Sequence, residues 1–139
     1  MSRADNYNIT KKTPTFYSDF LINFDKNPIT GFLAKVTNED AIKQSIRNIV
    51  FTTVYERPYS RLGSKIQTLL FEPIDTVTEE MLKRTLENSI KNFEPRANVV
   101  DIQIDSSASI NSYYINIFFN VINIPAQTFS LAVTLKRVR

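Results

Sequence analysis

The chain has 139 residues, 42% hydrophobic and 22% charged, a balance that suits one folded domain with its own core. It contains no Cys and no His, which excludes disulfides, thiolate nucleophiles, imidazole general bases and the commonest zinc ligands. No apolar run is long enough to span a bilayer, the N-terminus Met1-Ser2-Arg3-Ala4-Asp5 lacks the apolar segment of a signal peptide, and synthesis in a cytoplasm is expected.

Residues 1–17 are polar and lack periodicity, and read as a flexible arm. Ser18-Asp19-Phe20-Leu21-Ile22-Asn23-Phe24 and Phe32-Leu33-Ala34-Lys35-Val36 flank a stretch rich in turn residues, which predicts a hairpin of two short strands. Thr37 and Asp40 have capping-box spacing ahead of an apolar face of Ile42, Ile46, Ile49 and Val50. That helix should fail in the β-branched stretch Phe51-Thr52-Thr53-Val54, and a loop follows from Tyr55 to Arg61. Leu62 to Phe71 predicts a second, shorter helix, ended by Glu72-Pro73-Ile74-Asp75. Thr76 and Glu79 repeat the capping-box spacing, with Thr78 as an alternative cap, before a stripe of Leu82, Leu86, Ile90 and Phe93 that suits core packing.

At Asn92-Phe93-Glu94-Pro95-Arg96-Ala97 the pattern changes. Phe93 reads as the last core anchor of the third helix, and Pro95 pushes Glu94 out of helical geometry. Beyond Ala97 the apolar period is two. Val100, Ile102 and Ile104 form one predicted inner face, Tyr113, Ile115, Ile117, Phe119 and Val121 a second, and Phe129, Leu131, Val133 and Leu135 a third. Turns are placed at residues 106–111 and 123–126. The predicted class is α+β: an N-terminal hairpin and three helices packed on one face of an antiparallel β-meander. Residues 18–139 make a single domain, helical over about 38–96 and sheet over about 97–139.

Formal net charge is +3, and its placement is uneven. Lys/Arg and Asp/Glu balance from Asn38 to Arg96, and only Asp101 and Asp105 are charged from Ala97 to Leu135. The excess sits at the ends, on Arg3, Lys11, Lys12, Lys136, Arg137 and Arg139, either as solubilising ends or as arms that settle on an acidic partner. A balanced body does not suit a nucleic-acid binder. With two Gly in the chain there is no phosphate-binding loop, and no calcium loop or other metal or cofactor motif occurs.

Carboxylates are then the only acid–base groups on offer. Glu56, Glu72, Asp75 and Glu94 lie at helix ends or loops, but nothing fixes a pair across a sugar cleft, and there is no Trp platform. Glu56-Arg57-Pro58 and Glu94-Pro95-Arg96 are similar clusters at element ends, and Arg57 and Arg96 either brace loops within the chain or meet a partner. The last strand has no Pro and no charge from Gln127 to Leu135. It reads as an edge that is either guarded by its basic tail or kept open for a strand from another chain. Val133→Pro is the expected disruption of such an edge.

These motifs, taken in order, resemble a known family. Ala41-Ile42-Lys43-Gln44-Ser45-Ile46-Arg47-Asn48, Glu56-Arg57-Pro58, Leu62-Gly63-Ser64, Leu69-Leu70-Phe71-Glu72-Pro73 and Asn92-Phe93-Glu94-Pro95-Arg96 are similar to the baseplate wedge, sheath-initiating proteins of contractile-tailed phages, a family that includes the TssE subunit of type VI secretion. The resemblance runs from about Asp19 to Arg96, with a strand-rich tail of the right kind. It implies a structural protein of the virion tail baseplate, assembled in the host cytoplasm, present in several copies as a six-fold ring, without catalysis and without membrane contact. It implies docking on the core bundle of the wedge through Glu94, Pro95 and Arg96, with Arg57 and Glu72, so that Arg96→Ala weakens that contact in a folded chain. It implies strand exchange with the tail sheath protein along Phe129, Leu131, Val133 and Leu135. The alternative is a lysozyme-like hydrolase of peptidoglycan, a label the family has carried.

Overall fold

A computed structural model describes residues 14–107 and 111–137, with backbone only at 125 and 126. The elements run β1 (Ser18–Phe20), β2 (Lys35–Thr37), α1 (Asn38–Phe51), α2 (Ile66–Leu69), α3 (Thr76–Phe93), β3 (Ala97–Ser107), β4 (Ser112–Val121) and β5 (Ile124–Lys136). β1 and β2 form a two-stranded antiparallel pair, and β3-β4-β5 form an antiparallel sheet in chain order. α3 packs against β3 and α1 against β5, so one core lies between the helices and the sheet. The predicted α+β class is the observed one.

The hairpin strands are shorter than predicted. Phe24 N donates to Leu21 O at 2.9 Å and Phe24 takes φ 53, a turn that breaks the first strand; pairing resumes at the Lys26–Leu33 bridge. The hairpin and the residues before it expose Phe16, Phe20, Ile22, Phe24, Ile29 and Phe32.

The start of α1 corrects the expected capping box. Thr37 occupies the N-cap position without a side-chain cap bond. Asn38, buried and at φ 49, faces the preceding chain instead. Its Oδ1 accepts from Phe16 N at 2.9 Å, and its Nδ2 donates to Pro14 O at 3.1 Å. Asn tolerates this left-handed conformation better than most residues. Residues 14–17, assigned to the arm, are therefore tied to α1, while residues 1–13 lie outside the described chain. Ile42, Ile46, Ile49 and Val50 are buried, and the helix ends at Phe51, before the β-branched stretch.

The second helix is reduced to Ile66–Leu69. Residues 62–65 are drawn against the end of α1: Ser64 N donates to Thr52 O at 2.9 Å and Ser64 Oγ to Val50 O at 3.1 Å. Gly63 makes the approach possible at φ 138, where a Cβ would lie 2.6 Å from Thr52 O.

α3 is capped by Asp75 rather than Thr76 or Thr78. Asp75 Oδ1 accepts from Thr78 N at 2.7 Å, and that bond holds the Asp75 carboxyl below its ordinary value. Asp75→Ala should lower the midpoint of urea melts, and Asp75→Asn, which keeps an acceptor, should lower it much less. Leu82, Leu86 and Ile90 are fully buried, but Phe93 is only half-buried and does not anchor the core.

β4 is the central strand, and all five of its predicted inward side chains are buried. β3 departs from expectation at a bulge between Val99 and Asp101, which leaves Val100 56% exposed. Ala97 and Val99 face inward before it, Ile102 and Ile104 after it, because one inserted residue changes the parity of the strand. The β4–β5 turn is Ile122–Asn123, tighter than predicted. β5 then slips in register, and its regular ladder runs from Thr128 to Lys136. The predicted turn at 106–111 begins inside β3, and residues 108–110 lie outside the described chain.

Candidate functional site

The corner after α3 is built by its own sequence. Pro95 disfavours helical geometry at Glu94, which ends the helix at φ −131, ψ 72. Glu94 N donates to Ile90 O at 2.7 Å, and Glu94 O accepts from Ala97 N at 3.1 Å. The turn drives the Glu94 side chain inward, to 2% exposure. There Arg96 meets it with both arms of its fork: Nε donates to Oε1 and Nη2 to Oε2, each at 2.6 Å. Burial pushes the Glu94 carboxyl up, the largest single influence on it. Hydrogen bonds from Arg96 and from Ser45 of α1, with the charge of Arg96, outweigh burial and hold the group below its ordinary value.

Arg96 is itself stacked. Its guanidinium carbon lies 5.2 Å from the centre of the Tyr17 ring, and Tyr17 Oη accepts from Asn123 Nδ2 at 2.7 Å. Ile122 N donates to Arg96 O at 3.1 Å. The corner thus joins α1, α3, the segment before β1 and the β4–β5 turn. Arg96 pairs within the chain, yet 40% of its side chain still faces solvent. Arg96→Ala would leave a buried carboxylate behind, so it changes stability as well as any contact.

Arg57 and Glu72 are not brought to this corner. Both are exposed, and no hydrogen bond or ion pair links either side chain to Glu94 or Arg96 among the described residues. Arg57 sits in the loop from Tyr55 to Arg61, whose features the Glu-Arg-Pro motif does not convey. Tyr55 and Tyr59 take φ 70 and 61, and are 72% and 108% exposed. Bulky side chains in that region strain the backbone by on the order of 1–3 kcal/mol each. The alternation of Tyr and Arg in Tyr55-Glu56-Arg57-Pro58-Tyr59-Ser60-Arg61 was the available signal.

At the other end of the sheet, β5 pairs with β4 alone. Leu131, Val133 and Leu135 are buried against the helices, and Phe129 is half-buried with Lys43 Nζ 5.7 Å from its ring centre. Backbone direction follows from Arg137 N, which donates to Asn111 O at 2.8 Å. Hydrogen-bonded pairs recur every second residue in an antiparallel ladder, so Leu135, Val133 and Leu131 also face β4. Ser130, Ala132, Thr134 and Lys136 present their N–H and C=O groups to the free edge. Val133→Pro would therefore break an internal bond in the core, and the expected test moves to Ala132. Beside this edge lies a groove of about 280 Å³, lined by Leu21 and Ile22 of the hairpin, Asp40, Lys43, Gln44 and Arg47 of α1, and Leu131.

No group of His, Cys, Asp or Glu able to hold a metal occurs among the described residues, and no helix among them is long and apolar enough to cross a membrane. The carboxyls whose ionisation the fold shifts, Asp75, Glu94 and Asp101, all move downward.

This fold recurs in solved structures. A protein described as a tail lysozyme from Geobacter sulfurreducens shares it with TM-score 0.67 and 23% identity, over 73% of this chain and 92% of that one. A chain of the anti-feeding prophage baseplate shares it at 0.60 and 18%, over 88% and 87%. A chain of the pyocin R2 baseplate does so at 0.51 and 14%, over 82% and 98%. The architecture is thus one found among baseplate proteins. Residues 36–125 match the family described as baseplate wedge protein gp25, and the chain belongs to that family. A relative within it, the baseplate wedge protein gp25 of Enterobacteria phage T4, is 27% identical over 86 residues. The match takes in 61% of this chain and spans 65% of the length of that curated relative.

Proposed function

We propose that the chain is a non-catalytic structural subunit of a contractile-tail baseplate, residing in the virion tail after assembly in the host cytoplasm. It binds other wedge proteins through the Glu94-Pro95-Arg96 corner, with Arg57 and Glu72 as further exposed contacts, and it templates the tail sheath by accepting a strand along β5. Family membership supports the baseplate role. The six-fold symmetrised baseplate that holds one structural neighbour supports a ring of copies. For the corner, the bidentate pair fixes the guanidinium while part of it remains exposed, so a partner meets a preset donor.

The free edge of β5 carries the sheath half of this reading. Its outward backbone groups, with Leu131, Val133 and Leu135 on the inner face, let an added strand extend both the ladder and the core. The groove beside Leu131 supplies space for its inward side chains.

A hydrolase reading takes its support from the neighbour described as a tail lysozyme. The carboxyls argue against it. A glycosidase needs two carboxyls facing each other across a cleft, one of them raised to act as an acid. Among the described residues Glu94 is buried against Arg96, and the carboxyls that the fold shifts all move downward.

Ala132→Pro tests the edge. Ala132 is exposed, its N–H points outward, and Pro is tolerated at such edge positions. The variant should keep its melting temperature and co-purify with wedge proteins, yet seed sheath poorly. Val133→Pro should lose about 1–3 kcal/mol of stability from the broken ladder bond. Normal sheath seeding by a folded Ala132→Pro would end the strand-addition reading.

A further inference from the structure

We propose that the loop from Tyr55 to Arg61 is a separate docking surface that receives an acidic, carboxylate-bearing protein segment. This deepens the baseplate reading for Arg57 and rests on it only in giving that residue a partner. It is independent of Arg96.

The loop is held at its base rather than loose. Ser64 N donates to Thr52 O at 2.9 Å, and Thr53 N donates to Glu56 Oε2 at 2.8 Å. Ser60 N donates to Arg57 O at 3.3 Å, and Leu62 N to Ser60 Oγ at 3.1 Å. The carboxylate of Glu56 is thus used inside the loop. Arg57 and Arg61 are exposed and have no carboxylate partner among the described residues.

Tyr55 and Tyr59 adopt left-handed backbone conformations while their side chains remain in solvent, so burial within this chain does not offset the strain. Together with Arg57, Pro58, Ser60 and Arg61 they line a basin of about 310 Å³. Tyr and Arg are the residue types that concentrate binding energy at interfaces. The guanidinium fork matches a carboxylate bidentately. Two cations that lack a carboxylate partner among the described residues, beside two aromatic rings, are complementary to acidic side chains flanked by apolar ones. A nucleic-acid strand needs a longer row of cations than Arg57 and Arg61 supply.

The test uses the full-length chain, fluorescein-labelled poly-L-glutamate and a single-stranded oligonucleotide, followed by fluorescence anisotropy. Wild type should bind poly-L-glutamate, and the Arg57→Ala/Arg61→Ala double variant should bind at least about tenfold more weakly, with Lys91→Ala unchanged. Tyr55→Gly/Tyr59→Gly relieves the strained positions, so its melting temperature should hold or rise while its binding falls. Absence of binding by wild type, equal binding by the arginine double variant, or unchanged binding by the tyrosine double variant would each overturn the proposal. So would tighter binding of the oligonucleotide, lost in the arginine variant, which would mark a nucleic-acid surface. Co-purification of folded Arg96 variants with wedge proteins reports on the corner and not on this loop, so the two surfaces fail separately.

Discussion

Arg96→Ala should destabilise the protein by about 2–3 kcal/mol at neutral pH and reverse its response to acid. Glu94 is 2% exposed, and its carboxylate is tolerated there because the Arg96 fork and Ser45 satisfy it. Removing one partner of a buried pair leaves an uncompensated charge, at about 3–5 kcal/mol. The expected loss lies at or below the bottom of that range because 40% of the Arg96 side chain is exposed and Ser45 remains. In wild type the Glu94 carboxyl lies below the ordinary 4.5, so its contribution is complete above that value and disappears as pH falls through the folded-state value. In the variant, burial acts without the guanidinium, so the folded-state carboxyl is expected to move upward, above its ordinary value. The penalty is then present at neutral pH and fades as the carboxyl takes up a proton. Urea melts of both proteins at neutral and mildly acidic pH should show the gap closing in acid. Glu94→Gln in the Arg96→Ala background should recover part of the loss. A gap that widens in acid would mean that Glu94 is not the group left behind.

Gly63→Ala should cost about 3 kcal/mol, from the combination of backbone strain and overpacking. The position takes φ 138, and the added Cβ would lie 2.6 Å from Thr52 O, 2.8 Å from Thr53 C and 2.9 Å from Thr53 O. These are backbone atoms at the end of α1 and cannot rotate aside. Relief requires the 62–65 segment to move away, which breaks the Ser64–Thr52 bond and releases the base of the Tyr55–Arg61 loop. Calorimetry should therefore show a lower melting temperature, and proteolysis should cut first within that loop. An unchanged melting temperature would show that the close approach is not maintained in solution.

Much of the architecture is legible in the chain because local pattern and burial agree there. The five inward residues of β4 alternate without interruption, and the faces of α1 and α3 are spaced for packing. Agreement fails where a residue admits two readings. Val99 and Val100 are equally apolar, so parity alone cannot say which side of a bulge each occupies. Leu62 to Phe71 has a helical apolar pattern, but Gly63 answers to a contact with Thr52 that no local window contains. The cap of α3 is displaced by one residue, from Thr76 to Asp75, because the better side chain lies next to the expected one, while Thr37 holds the N-cap position of α1 without a side-chain cap bond. The Glu94-Pro95-Arg96 corner is visible as a motif. Its other members, Ser45 and Tyr17, come from distant parts of the chain and carry no signal of their own. Strand alternation shows which side chains of β5 face inward, whereas the direction of its free N–H groups needed a backbone hydrogen bond to fix it.

The bulge at Val100 also bears on how copies of the chain meet. A sheet with two equivalent flat edges can join its own copies edge to edge without limit, as fibres do. Here the two edges differ. The β3 side carries a kink at Val100 and two acids, Asp101 and Asp105, whereas the β5 side runs regular and uncharged from Thr128 to Leu135. Neither side is a template for the other, so head-to-tail chains of the free protein are disfavoured while its open edge persists.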